Sequence, residues 1–199
     1  MRLKILIVMI VCLTAGATAF GQFSAQLFPA ETVLKGTTEL FANVGAYDDA
    51  MTFIGGGRYG IGGYTDVGFR MAFVDYDSGL DDGFLLSGDM RYQIMELRIQ
   101  DPLDLSLGGS LETILGVGQD NISLGGYVVG SRPIALKDDM DLWPYGRLAM
   151  RYDKFGSHDE FNIGLNLGSS LELNPSTKVS AEFQFDDQFG FIVGVIFGL

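Results

Sequence analysis

The chain has 199 residues, 13 basic and 25 acidic, for a formal charge of −12 at pH 7, and such a surface repels nucleic acid and anionic lipid phosphate unless divalent cations intervene. With 47% hydrophobic and 19% charged residues it is too apolar for a disordered chain, and its 28 glycines point to tight turns and close packing. A single cysteine and a single histidine exclude a disulfide framework and a cysteine-rich metal centre.

The chain opens on a leader. Arg2 and Lys4 precede an apolar run from Ile5 to Leu13, and small residues then lead to Ala17-Thr18-Ala19, the pattern of a secretory signal peptide. Cleavage after Ala19 or Gly21 gives a leader over 1–21, takes Cys12 with it and leaves 11 basic residues against 25 acidic. The apolar run is too short for a spanning helix, and no later stretch approaches the roughly 18 apolar residues one needs. Residues 22–36, with Pro29, read as a short segment ahead of the folded unit at 37–199.

Ten alternating segments follow, at about 37–47, 51–62, 66–76, 83–95, 103–115, 121–132, 142–153, 159–173, 177–186 and 189–199, each bounded by Gly, Asp, Asn or Pro. The eighth is the clearest: Phe161, Ile163, Leu165, Leu167, Leu171 and Leu173 alternate with Asn162, Gly164, Asn166, Gly168, Ser170 and Glu172. The third, fifth and ninth read likewise, whereas the first, second and sixth are weaker and keep eight strands open as an alternative. The last segment sets Phe189, Phe191, Val193, Val195, Phe197 and Leu199 on one face and Gly190, Gly194 and Gly198 on the other, since successive strand side chains point to opposite sides.

This closing strand resembles that of bacterial outer-membrane β-barrel proteins, and the resemblance covers nearly the whole mature chain as a pattern. In that family the chain commonly ends on an aromatic residue read by the assembly machinery; here Leu199 is last and Phe197 stands two before it. The resemblance implies an all-β fold, a single transmembrane antiparallel up-and-down barrel of ten strands, in the outer membrane. It also implies outer-membrane lipid, lipopolysaccharide and, through the C-terminal strand, the barrel assembly machinery as partners; the oligomeric state is left open. An even strand count puts both termini, and the segment 22–36, on the periplasmic side.

With the apolar face toward lipid, the lumen receives Arg58, Arg70, Arg91, Arg147 and Arg151 together with Glu39, Asp89, Glu112, Glu172 and Glu182. Charges withdrawn from bulk water must pair or stay hydrated, and a small barrel is just filled by its own side chains, so an ion-pair plug is the expectation. Glycines at 56, 60, 68, 108, 164, 168, 190, 194 and 198 support the alternative, a narrow passive pore. At the outer end Asp153 and Asp186 are expected on an acidic rim with Asp48, Asp49 and others, and Tyr47 and Tyr76 in the outer interfacial girdle, with Tyr145 in the periplasmic one. Asp75, Asp77, Asp81 and Asp82 are hard oxygen donors that suit Ca²⁺ or Mg²⁺ without the spacing of an EF-hand; no other cofactor is indicated.

His158 lies in the fourth outer loop. The omptin family of outer-membrane proteases has an Asp-x-Asp pair on the second outer loop, matched here by Asp75 and Asp77, and an Asp-x-His pair on the fourth, where this chain has Gly156 two before His158. The missing carboxylate removes the group that would orient the imidazole for general-base work. Lipid A-modifying barrels also use a histidine, with a serine and a carboxylate, but the consecutive Ser157, His158 and Asp159 cannot converge from an extended chain. The expectation is a non-enzymatic envelope protein with a structural or surface-interaction role; a surface hydrolase using His158 ranks third, after the pore.

Overall fold

The computed structural model describes residues 27–77, 82–97, 101–116, 121–136, 140–156, 158–186 and 189–199. The leader 1–21 and Asp81 lie outside the described residues. Ten long strands form where the alternation is read: β1 (Thr38–Tyr47), β2 (Ala50–Gly60), β3 (Thr65–Tyr76), β4 (Gly83–Met95), β5 (Asp104–Leu115), β6 (Asn121–Ser131), β8 (Asp141–Phe155), β9 (His158–Asn174), β10 (Thr177–Phe185) and β11 (Phe189–Gly198), with a two-residue β7 (Ile134–Ala135) between β6 and β8.

Every consecutive pair of long strands is antiparallel, and one further pairing, between the first and last strands, closes the ring. β6 pairs with β8, for example Gly126 with Met150, while β7 pairs with β8 alone and stays outside the barrel. β1 pairs with β11 from Glu39–Gly198 to Tyr47–Gly190. Closure removes both sheet edges, so every long strand has two partners for its backbone N–H and C=O groups, as a bilayer interior requires. The ring has ten strands, not eight.

The ends of the ring differ. One carries the start of β1, Leu199 and the turns 61–64 and 175–176; the other, called here the far end, carries the turns after β1, β3, β5, β8 and β10. At the terminal end Gly62, Gly63 and Tyr64 all have positive φ, which glycine adopts freely and a bulky aromatic does not. Gln93 N donates to the Tyr64 carbonyl oxygen at 2.8 Å and helps hold the turn. No proline interrupts the middle of a strand: Pro102, Pro133 and Pro175 lie between strands and Pro144 near the start of β8, where a missing donor costs least.

Candidate functional site: the lumen

Period-2 alternation sends one face of each strand outward, and that face is apolar. Phe69, Met71 and Phe73 of β3, Leu107 and Leu111 of β5, Phe161, Ile163, Leu165 and Leu167 of β9 and Phe183 of β10 are all exposed on the outside. The inward face buries five arginines (58, 70, 91, 147, 151) and six carboxylates (Asp66, Asp89, Asp104, Glu112, Asp153, Glu182). Apolar outside and charged inside reverses a water-soluble protein, and a chain buries charge this way only when its outer surface faces hydrocarbon. This chain is a transmembrane β-barrel.

The charges of the barrel form three groups. On β2, β3 and β4, Arg58 bridges Asp66 and Asp89, the latter at 2.5 Å, Arg70 also binds Asp89, and Arg91 binds Asp66 at 2.7 Å. Tyr127 on β6 adds a hydroxyl to Asp89 at 3.0 Å. Across the lumen Glu182 accepts from Tyr145, Asn166 and Gln184, each at 2.8 Å, with Arg147 at 3.5 Å. Toward the far end Arg151 binds Asp153 at 2.6 Å and Asp186 at 3.2 Å. Removing one partner from such a buried set strands a charge, at a cost of about 3–5 kcal/mol.

Seven of the ten residues expected in the network join these groups, and an eighth, Glu112, is buried beside them. Glu112 is buried within electrostatic reach of Tyr47 and Tyr76. Glu39 instead pairs with Lys178 at 3.0 Å, at the partly exposed terminal mouth. Glu172 lines that same mouth and takes no part in an ion pair among the described residues; its register partner Lys178 is engaged by Glu39 instead. Asp153 and Asp186 turn inward to Arg151 and are not rim residues. Tyr47 and Tyr145 likewise turn inward to Gln184 and Glu182, and Tyr76 is buried, so none of the three is a girdle residue. Asp66 and Asp104 were not read as luminal, although the parity was legible: Asp66 shares its face with Gly68 and Arg70, and Asp104 with Ser106 and Glu112.

Six of the nine glycines expected to open the lumen lie under larger side chains. Tyr127 covers Gly108, Tyr145 covers Gly168 and Tyr47 covers Gly190, each from the register-paired position on the adjacent strand. Gly56 lies under Phe41, Gly68 under Arg58 and Asp89, and Gly194 under Asn43. They are slots that admit large neighbours. The lumen also has an apolar part absent from the charge reading: Ile54, Ala72, Val74, Leu85, Ile114 and Ile192 form one buried cluster.

The terminal half is filled by the chain's own N-terminal segment. Leu27, Phe28 and Ala30 are buried within the barrel, so the described part of 22–36 enters the lumen, with Glu31 and Val33 half-buried at its mouth and the chain exposed from Leu34. Phe28 packs edge-on against Phe41 with ring centroids 5.3 Å apart, beneath the Arg58 guanidinium. A cavity of about 410 Å³ opens beside the segment at the mouth, bounded by Glu39, Trp143, Glu172 and Lys178, with Phe28 and Ile196 on its inner side.

At the far end Asp75, Asp77 and Asp82 are exposed, and among the described residues no three acidic, histidine or cysteine side chains converge on a metal-sized site. His158 opens β9 opposite Phe155; its side chain lies outside the described residues.

No protein-family model and no curated protein matches this sequence. Solved structures do. A bacterial polysaccharide outer membrane secretin is 10% identical with a TM-score of 0.50, over 74% of this chain and 56% of that one. An outer membrane channel from Pseudomonas putida F1 is 9% identical over 91% and 100% with a TM-score of 0.48, and a KdgM porin 12% identical over 80% and 98% with a TM-score of 0.45. At such identities the likeness bears on the fold of the barrel alone.

Proposed function

We propose that this barrel resides in the bacterial outer membrane, with both termini periplasmic, as a sealed and non-enzymatic envelope protein whose role is structural or interactive at the cell surface. The observation that carries the reading is the filled lumen. Arg70, Arg91 and Glu182 are at most 2% exposed although they point into the barrel, and the terminal mouth is packed with residues 27–33. An ion path needs continuous water, and the deep burial of these charged side chains supports a lumen without one.

The outward aliphatic and aromatic faces are the lipid contact, and the exposed acidic far end would meet lipopolysaccharide through divalent ions. β11 carries the segment read by the assembly machinery. A catalytic role would fall on His158, which lacks a carboxylate two residues before it. Planar-bilayer recording of the refolded mature protein tests the seal: no stable conductance is expected, and a steady open level that shifts in an Arg91→Lys variant would establish the pore instead. Labelling of an introduced Asp49→Cys by an impermeant maleimide on intact cells tests the orientation, and protection from label would reverse it.

A further inference from the structure

The lumen grips its occupant by the main chain. Ala30 N donates to Ser131 Oγ at 2.9 Å, Thr32 N to Gln93 Oε1 at 3.0 Å and Val33 N to Asp66 Oδ2 at 2.9 Å. In the other direction Arg91 donates to the carbonyls of Pro29 and Glu31, the second at 2.8 Å, Ser106 to that of Ala30 at 2.5 Å and Arg147 to that of Phe28 at 3.4 Å. The carbonyls of residues 28–31 and the N–H groups of Ala30, Thr32 and Val33, along a segment that bends at Ala30 and Glu31, are thus met by side chains of β3, β4, β5, β6 and β8. Specificity beyond the backbone comes from the slot around Phe28, from the enclosed Leu27 and Ala30, and from the Thr32 hydroxyl, which reaches Gln93 Oε1 at 3.0 Å. This is how peptide-binding sites divide the work: backbone bonds for affinity, alternate pockets for selection.

Two further observations separate the segment from the wall that holds it. Residues 27–33 belong to none of the long strands, and the link to β1 is an exposed stretch at 34–37 pinned by the bonds of Gly36 and Thr37 at its outer end. Arg91 and Gln93 keep wall partners without the occupant, as does Arg58 above Phe28: Arg91 keeps Asp66, Arg58 keeps both Asp66 and Asp89, and Gln93 keeps Asp104 at 3.1 Å, whereas Ser106 and Ser131 would lose only neutral bonds to Ala30. Departure of the segment therefore strands no charge, and the 410 Å³ cavity on its flank already gives water a way in at the mouth.

We propose that the terminal half of the lumen is a main-chain-reading peptide site, that residues 27–33 are its tethered ligand, and that once the tether is cut the same site takes a peptide of the Leu-Phe-Pro-Ala-x-Thr pattern in trans, bent as the tethered segment is. The inference deepens the sealed-lumen reading by naming what the seal binds. A specific-protease sequence inserted between Leu34 and Lys35 allows the mature chain to fold intact and then be cut. Fluorescent peptide spanning residues 22–34 is expected to enter the cut barrel and not the uncut one. N-methylation at the Ala30 and Thr32 positions of the peptide should weaken entry at least tenfold, and a Val33→Thr peptide should enter like the parent. A Ser106→Ala/Ser131→Ala barrel should exchange its cut segment faster. A cut barrel that unfolds, a segment that never exchanges, or a methylated peptide that enters equally well would each overturn the proposal. Conductance of the uncut barrel, measured separately, judges the seal: an uncut barrel that conducts yet exchanges peptide after cutting overturns the seal and leaves the site standing.

Discussion

Tyr145 of β8 lies over Gly168, its register partner on β9, so that its hydroxyl clears that strand and reaches Glu182 of β10 at 2.8 Å. The same arrangement recurs with Tyr127 over Gly108 reaching Asp89, and with Tyr47 over Gly190 reaching Gln184 at 3.1 Å. Each glycine makes room for a ring that ties three neighbouring strands together, which explains why a closed lumen is lined with the smallest residue.

A side chain at such a slot collides with the ring. Gly168→Val is expected to destabilise the barrel by about 1–3 kcal/mol, the usual cost of overpacking, while Gly109→Ala, whose added carbon would meet only ordinary van der Waals distance at 3.6 Å, stays within about 0.5 kcal/mol. Urea unfolding in lipid vesicles, followed by the fluorescence of the one tryptophan, Trp143, reads both.

Asp89 receives Arg58, Arg70 and Tyr127, so Asp89→Ala leaves two guanidinium groups without their shared carboxylate. The expected loss is about 3–5 kcal/mol, in the same unfolding assay. A loss below 1 kcal/mol would mean that water enters freely and hydrates the arginines.

Two glutamates of the expected network part company. Glu182→Gln should be clearly destabilising, since four donors converge on that carboxylate. Glu172→Gln, at the mouth and outside every ion pair, should change stability by no more than about 0.5 kcal/mol. Comparing the two urea midpoints checks the assignment.

The outward face has its own test. Leu165 is exposed at the middle of β9, where hydrocarbon surrounds it, and Leu165→Arg is expected to cost about 2–4 kcal/mol in a bilayer. The loss should shrink for the same change at Leu173, near the end of the strand. Equal costs at both positions would contradict the membrane placement.

How much was legible follows from what alternation can encode. Parity along a strand decides which face a residue occupies, so the ten strands, the outward stripe and most of the charged lumen were readable, and Asp66, Asp104, Asp153 and Asp186 would have followed from the same parity applied to strand ends. Parity cannot say what lies across the lumen. Which acid meets which arginine depends on register and on strands far apart in sequence, as with Arg147 and Glu182. A glycine on the inward face reads alike whether it borders water or a tyrosine; the register of the adjoining strand decides.

By itself, then, the sequence determined a closed set of alternating strands with lipid outside and charge inside, because a period of two is a local property. Only the tertiary structure decided which side chains meet inside the ring and that residues 27–33 lie among them. Residues 27–33 carry no periodic signal, and their place inside the barrel arises from main-chain hydrogen bonds to side chains drawn from five strands, a complementarity that exists only once the ring has closed.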